Sequence, residues 1–166
     1  MNNYNNKANH NQDKLHQPQR KLVTGYDYDN PNGRAVLDQM AVSYVEQYYK
    51  PYSDRFLNTL IRLETQPLGY SRGYEVDSKL QVLLCATIDE NWWLDRKDCH
   101  IVCILKDAKC PQELVKLLLH DCEEWSRQNG ATSVNIHSWN DRPAYDRWCD
   151  RLGYKPTQKT YTKELK

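Results

Sequence analysis

Residues 99–154, CHIVCILKDAKCPQELVKLLLHDCEEWSRQNGATSVNIHSWNDRPAYDRWCDRLGY, are the stretch whose reading decides the fold. The pattern predicts a strand (Cys99 to Lys106), a short loop and a helix (Pro111 to Gln128). A second strand (Thr132 to Ser138) and a second helix (Pro143 to Leu152) follow, before Gly153-Tyr154. Ile101, Cys103 and Leu105 alternate through the first strand, and Val102 and Ile104 fill its other face. A strand apolar on both faces belongs in the middle of a sheet, covered above and below. Leu114, Val115, Leu118, Leu119, Cys122 and Trp125 recur at three- and four-residue spacing, which gives the first helix one buried stripe. Pro111 suits an opening turn, where no donor is required, and Gly130 suits the left-handed position past the last turn. Pro143 and Gly153 repeat that punctuation around the second helix. Strand, helix and strand in so short a span predict a parallel or splayed strand pair.

Working outward, Lys79 to Ile88 is rich in Val, Leu and Ile and reads as a strand, with Asp89-Glu90-Asn91 as its turn. Trp92 and Trp93 begin another strand or the loop before Cys99. Pro67, Gly69 and Gly73 break the segment from Gln66 to Glu75 into loop, with a short strand at most. These pieces make an antiparallel meander in which the Cys99 strand is the fourth. The C-terminal YKPTQKTYTKEL alternates as a final strand beside the Thr132 strand. Upstream, a helix from Arg34 to Lys50 carries Leu37, Met40, Ala41, Tyr44, Val45 and Tyr48 and stops at Pro51. A short helix from Ser53 to Leu63 follows. Residues 1–21 are Asn- and Gln-rich and read as a polar tail, flexible or ordered by a partner, ahead of a single domain over 22–166.

At 166 residues the chain is long enough for a substantial core, and its net charge of +1 indicates neither nucleic acid nor membrane as a partner. Six cysteines lack any Cys-x-x-Cys pair, and most sit inside predicted strands or helices. They read as buried free thiols of a reducing cytoplasm, with no metal site; Cys99, His100, Cys103 and Cys110 fit no usual zinc spacing.

The run EEWSRQNGATSVNIHSWNDRPAYDRWCDRLGYKP resembles the C-terminal half of the GNAT N-acetyltransferase superfamily, the acyl-CoA N-acyltransferase fold. Glu124, Trp125, Gly130, Ala131, Pro143, Ala144, Trp148, Arg151, Leu152, Gly153 and Tyr154 fall where that resemblance wants such residues. It implies an α/β (α+β) fold. The expected sheet is mixed and mostly antiparallel, with splayed central parallel strands and helices on both faces.

The resemblance also implies a site. Family members lay the coenzyme diphosphate on backbone N–H groups at a helix start, in the pattern Arg/Gln-x-x-Gly-x-Gly/Ala. Alignment puts that pattern on Lys109-Cys110-Pro111-Gln112-Glu113-Leu114. The basic residue survives as Lys109, while Gln112 and Leu114 replace both small residues and Glu113 adds negative charge. Side chains in the approach path outweigh the helix dipole, worth about 0.3–1 kcal/mol, so this loop reads as degenerate. Asn140 and Arg142 are the candidate cofactor contacts before the last helix, and Ile104 and Leu105 are the candidate backbone donors to an acyl oxygen. The family's tyrosine acid is replaced by Cys149. For a base, Asp98, His100 and His137 lie near strand ends, with His137 and the adjacent Ser138 the candidates at the splay.

Three readings follow. The leading one is a non-catalytic structural or protein-binding module with no required cofactor. It would engage protein through the tail or the cleft, in an oligomer or assembly; the Asn- and Tyr-rich composition suits a phage virion. The second is an acetyl-CoA-dependent N-acyltransferase acting on an amine. The third is a cleft that binds a small molecule or peptide without transfer.

Overall fold

The computed structural model describes residues 19–24, 59–60, 62–63, 65–137 and 143–157. Five strands lie in one sheet in chain order: β1 (Arg20–Thr24), β2 (Gly69–Val76), β3 (Lys79–Asn91), β4 (Arg96–Lys106) and β5 (Ala131–Ile136). The first three pairings are antiparallel and β4–β5 is parallel. Helix α1 (Gln112–Gln128) crosses from β4 to β5, and α2 (Pro143–Arg151) follows. The mixed sheet with its single parallel pair is the architecture expected from the residue 99–154 pattern.

Several boundaries differ from the sequence reading, each for a local reason. Residues 69–76 form a full strand despite two glycines. Gly69 sits against the Leu63 carbonyl, where a Cβ would collide, and Gly73 sits against the Val82 carbonyl and the Leu80 side chain. These glycines permit close approach rather than break the strand. Asp89, Glu90 and Asn91 extend β3, and the turn is Trp92–Asp95, closed by the Leu94 N–H donating to the Asn91 carbonyl at 3.1 Å. Arg20 and Lys21, placed in the tail by composition, begin β1 instead; a charged strand suits a sheet edge. The rest of the tail, the helix from Arg34 to Lys50 and the end of the final strand lie outside the described residues. Residues 154–157 are not in a strand.

The largest correction concerns β4. Cys85 pairs with Cys103, but Ala86 pairs with Ile101, so Val102 is an extra residue in a β-bulge. A bulge reverses the alternation beyond it. Cys99 and Ile101 therefore face α1, packed with Leu114, Leu118 and Cys122, whereas Cys103 and Leu105 face the opposite side with Cys85 and Leu83. Ile104 joins the α1 face and Val102 is exposed. The opposite face is covered by the segment bearing the buried Leu60 and Leu63, and Gln66 donates from Nε2 to Thr87 Oγ1 at 2.8 Å. All six cysteines are free, and the bulge puts Cys99 and Cys103 on opposite faces.

On the α1 side the Tyr70 hydroxyl donates to Asp121 Oδ2 at 2.7 Å, and Arg72 pairs with the same oxygen at 2.7 Å. The Arg72 guanidinium also lies over the Tyr70 ring. Burial, then the Asp121 carboxylate, pushes the Tyr70 phenol up, so it stays a donor that ties β2 to α1. No helix among the described residues is long and apolar enough to cross a membrane.

Candidate active site

The parallel pair is short. Lys97 to Ile101 of β4 pair with Ala131 to Ile136 of β5, and β5 then ends while β4 runs on to Lys106. Residues 102–106 thus have no partner on that edge among the described residues, leaving an open edge about 16 Å long. The unpaired edge starts at the Val102 bulge.

Strand geometry fixes which backbone groups face the opening. The Asp107 N–H donates to the Gln81 carbonyl on β3 at 2.8 Å. Because N–H groups alternate along a strand, those of Leu105 and Cys103 also turn toward β3, and those of Ile104 and Lys106 turn to the open side. Of the expected pair, Ile104 offers a donor at the gap. Leu105 does not, since its N–H belongs to the β3 ladder and its side chain is core.

Below the opening, the face away from α1 carries a polar row. Asp98 is buried and accepts from Ser133 Oγ (2.7 Å), Asn91 Nδ2 (2.8 Å) and Arg96 Nε (2.8 Å). Burial pushes its carboxyl up, but the bonds from Ser133, Asn91 and Arg96 outweigh that and hold it below the usual carboxylate range. An acid so fully engaged clamps β5 to β4 and is not a base.

Next in the row, at the mouth, His100 Nδ1 lies 3.4 Å from His137 Nε2. The ring centres are 5.6 Å apart and the planes within 8°. The extra separation is about one ring width, so the nitrogens lie on the line between the centres. The rings therefore meet edge to edge through an N–H···N bond rather than face to face. With both rings neutral, one outer nitrogen is a donor and the other an acceptor, whichever tautomer is present. Protein bulk, then the neighbouring His100, lowers the pKa of the still-exposed His137. A neutral imidazole at neutral pH can accept a proton.

The loop after β4 differs from the steric block expected of it. Leu114 is wholly buried in the α1 core, so its side chain neither contacts nor obstructs a ligand at the helix start. Gln112 and Glu113 are exposed there, and Glu113 lies 3.9 Å from Arg20. Pro111 caps the helix without a side-chain bond to its first N–H groups. The Lys109 N–H is taken by Asp107 Oδ1 at 2.9 Å. That bond, then Lys79 at 3.1 Å, lowers the Asp107 pKa.

Cys149 is half-buried on α2, and burial pushes its thiol up, so it stays protonated at neutral pH. No bond joins it to His137 among the described residues. Ser138, Asn140 and Arg142 lie outside the described residues. Sequence reasoning named His100 and His137 separately. Their pairing depends on the His100–Asn135 register, which carries no local signal.

Neither a family model nor a curated protein matches the sequence. Solved structures do. A GNAT family acetyltransferase of Staphylococcus aureus shares 17% identity, covering 89% of this chain and 98% of that one, with a TM-score of 0.61. The aminoglycoside 6'-N-acetyltransferase AAC(6')-Ih of Acinetobacter baumannii shares 14%, covering 90% and 99%, with a TM-score of 0.66. AAC(6')-Iy, in complex with a CoA-linked bisubstrate analogue, shares 11%, covering 89% and 99%, with a TM-score of 0.68. The chain has the GNAT acetyltransferase fold, at identities that establish the fold alone.

Proposed function

We propose that this protein transfers an acyl group from a coenzyme A thioester to an amine. The observation that carries the reading is the open edge of β4, where the Ile104 N–H faces the gap and the His100–His137 pair stands at its mouth. The departure of Leu114 into the core removes one of the steric objections to coenzyme at the loop.

The residues present fit such a cofactor in the gap better than at the phosphate end. Backbone groups of Ile104 and Lys106 would hold its arm. Lys109 and the Gln112 and Glu113 N–H groups would face its phosphates. When bound, acetyl-CoA supplies an acyl group activated as a thioester. The chain's own part is then threefold. The Ile104 N–H donates to an acyl oxygen in the gap. His137 or His100 accepts a proton at its free ring nitrogen and shares it across the pair. Cys149 holds a proton on Sγ for a departing sulfur.

The non-catalytic module favoured by the sequence retains its own support at the loop, where Pro111 lacks a donor, Asp107 occupies the Lys109 N–H and Glu113 adds negative charge. One experiment separates the readings. Acetyl-CoA is titrated calorimetrically, and thiol release is followed with a panel of primary amines that includes an aminoglycoside and a lysine peptide. Micromolar binding with amine-dependent release supports transfer. Ile104→Pro removes the donor at the gap while sparing the β3 ladder, in which that N–H takes no part, but it also truncates a side chain packed on the α1 face. Against Ile104→Ala, which loses the side chain and keeps the N–H, release should fall about 100-fold. No heat at millimolar acetyl-CoA would establish the module instead.

A further inference from the structure

The β3–β4 turn carries the largest exposed apolar side chains among the described residues: Trp92 (74% exposed), Trp93 (78%) and Leu94 (57%). The two indoles stack at 4.1 Å, so each keeps one outward face. Asp95, with φ of 47°, holds the turn in a left-handed conformation that presents them. A contiguous aromatic tip of this kind is unusual on a protein surface without a partner.

Its charged surroundings select among occupants. Asp89, Glu90 and Asp95 are exposed at the tip, and no ion pair engages them among the described residues. Glu90 faces Lys97 across the ladder, and Arg96 is engaged by the buried Asp98. Asp95 in the turn itself and Asp89 on the strand leading into it, opposite Asp98 in the ladder, remain carboxylates without an ion-pair partner among the described residues. An anionic lipid surface would meet like charge, and so would the same tip of a second copy. A guanidinium on an indole face, within reach of a carboxylate, satisfies both features.

We propose that the Trp92–Trp93 tip is a docking site for an arginine-bearing protein segment. The site lies at the turn end of β3 and β4 and does not depend on the acyltransferase reading.

The test follows the indole N–H signals of the full-length protein by NMR. It is titrated with capped hexa-arginine, hexalysine and hexaglutamate peptides and with phosphatidylcholine vesicles with and without phosphatidylserine. The arginine peptide should shift the Trp92 and Trp93 signals, bind more tightly than the lysine peptide, and weaken with salt. By calorimetric titration of the same peptide, which does not need the indole signals, Trp92→Ala with Trp93→Ala should reduce its affinity at least about tenfold, and Asp89→Asn with Asp95→Asn should reduce it separately. Unmoved signals would overturn the proposal. So would equal binding of both cationic peptides that survives the tryptophan substitutions. A response to vesicles alone, or self-association abolished by the same substitutions, would replace it with a lipid or dimer surface.

Discussion

Asp98→Asn tests the clamp that holds β5 to β4. The substitution keeps the shape and removes the charge that Ser133, Asn91 and Arg96 share. A hydrogen bond to a charged group contributes about 1.5–3 kcal/mol, and a buried group left without its partner costs about 1–3 kcal/mol. The introduced amide keeps one acceptor oxygen for the Ser133, Asn91 and Arg96 donors. It turns two N–H donors into a cluster whose only acceptors among the described residues are the unpaired Asn91 Oδ1 and the Ser133 hydroxyl oxygen. Arg96 is 41% exposed, so its share is discounted for screening. The two enclosed bonds, from Ser133 and Asn91, set the loss at about 3 kcal/mol. Urea unfolding at pH 7 measures it, with an unchanged m-value showing that the same surface is exposed. The sign of the pH dependence follows from the lowered carboxyl pKa. Stability from Asp98 is fully present above the unfolded value of about 3.9 and disappears as pH falls through the lower folded value. The gap between the two proteins should therefore narrow as pH falls below about 5. A loss under about 1 kcal/mol, or a gap that stays constant over that range, would refute the clamp.

Further outcomes follow from the same geometry. Leu114→Ala should cost about 2–5 kcal/mol as a core truncation, whereas Gln112→Gly, on an exposed turn, should cost about 1 kcal/mol or less; thermal unfolding separates them. Tyr70→Phe should cost about 1 kcal/mol, because Arg72 keeps Asp121 paired. The lowered His137 pKa means that the unfolded chain takes its proton more readily. Wild-type stability should thus fall relative to His137→Gln as pH drops below about 6.5, read by denaturation across that range. Deleting Val102 would remove the bulge while leaving Ile101 and Cys103 opposite Ala86 and Cys85 on their present faces; the protein should stay soluble and folded, read by circular dichroism.

The order of strands and helices after Cys99 was legible because apolar spacing of two and of three to four residues is a local property, and Pro111, Gly130 and Pro143 mark the boundaries. The same local signals misread Gly69 and Gly73, whose purpose is close contact with residues elsewhere in the chain. The apolar spacing put Leu114 on the buried stripe, where it lies, whereas alignment to the family's loop pattern put the same residue in a ligand path; packing on the sheet decides for the stripe.

From Cys99 onward the sequence by itself determined which segments are extended, which are helical and that two strands run parallel, since each follows from periodicity and connection length. Only the tertiary structure decided where β4 bulges, which of its N–H groups is open and that His100 meets His137. Those facts depend on pairing register between distant strands, and one inserted residue reverses the facing of everything beyond it.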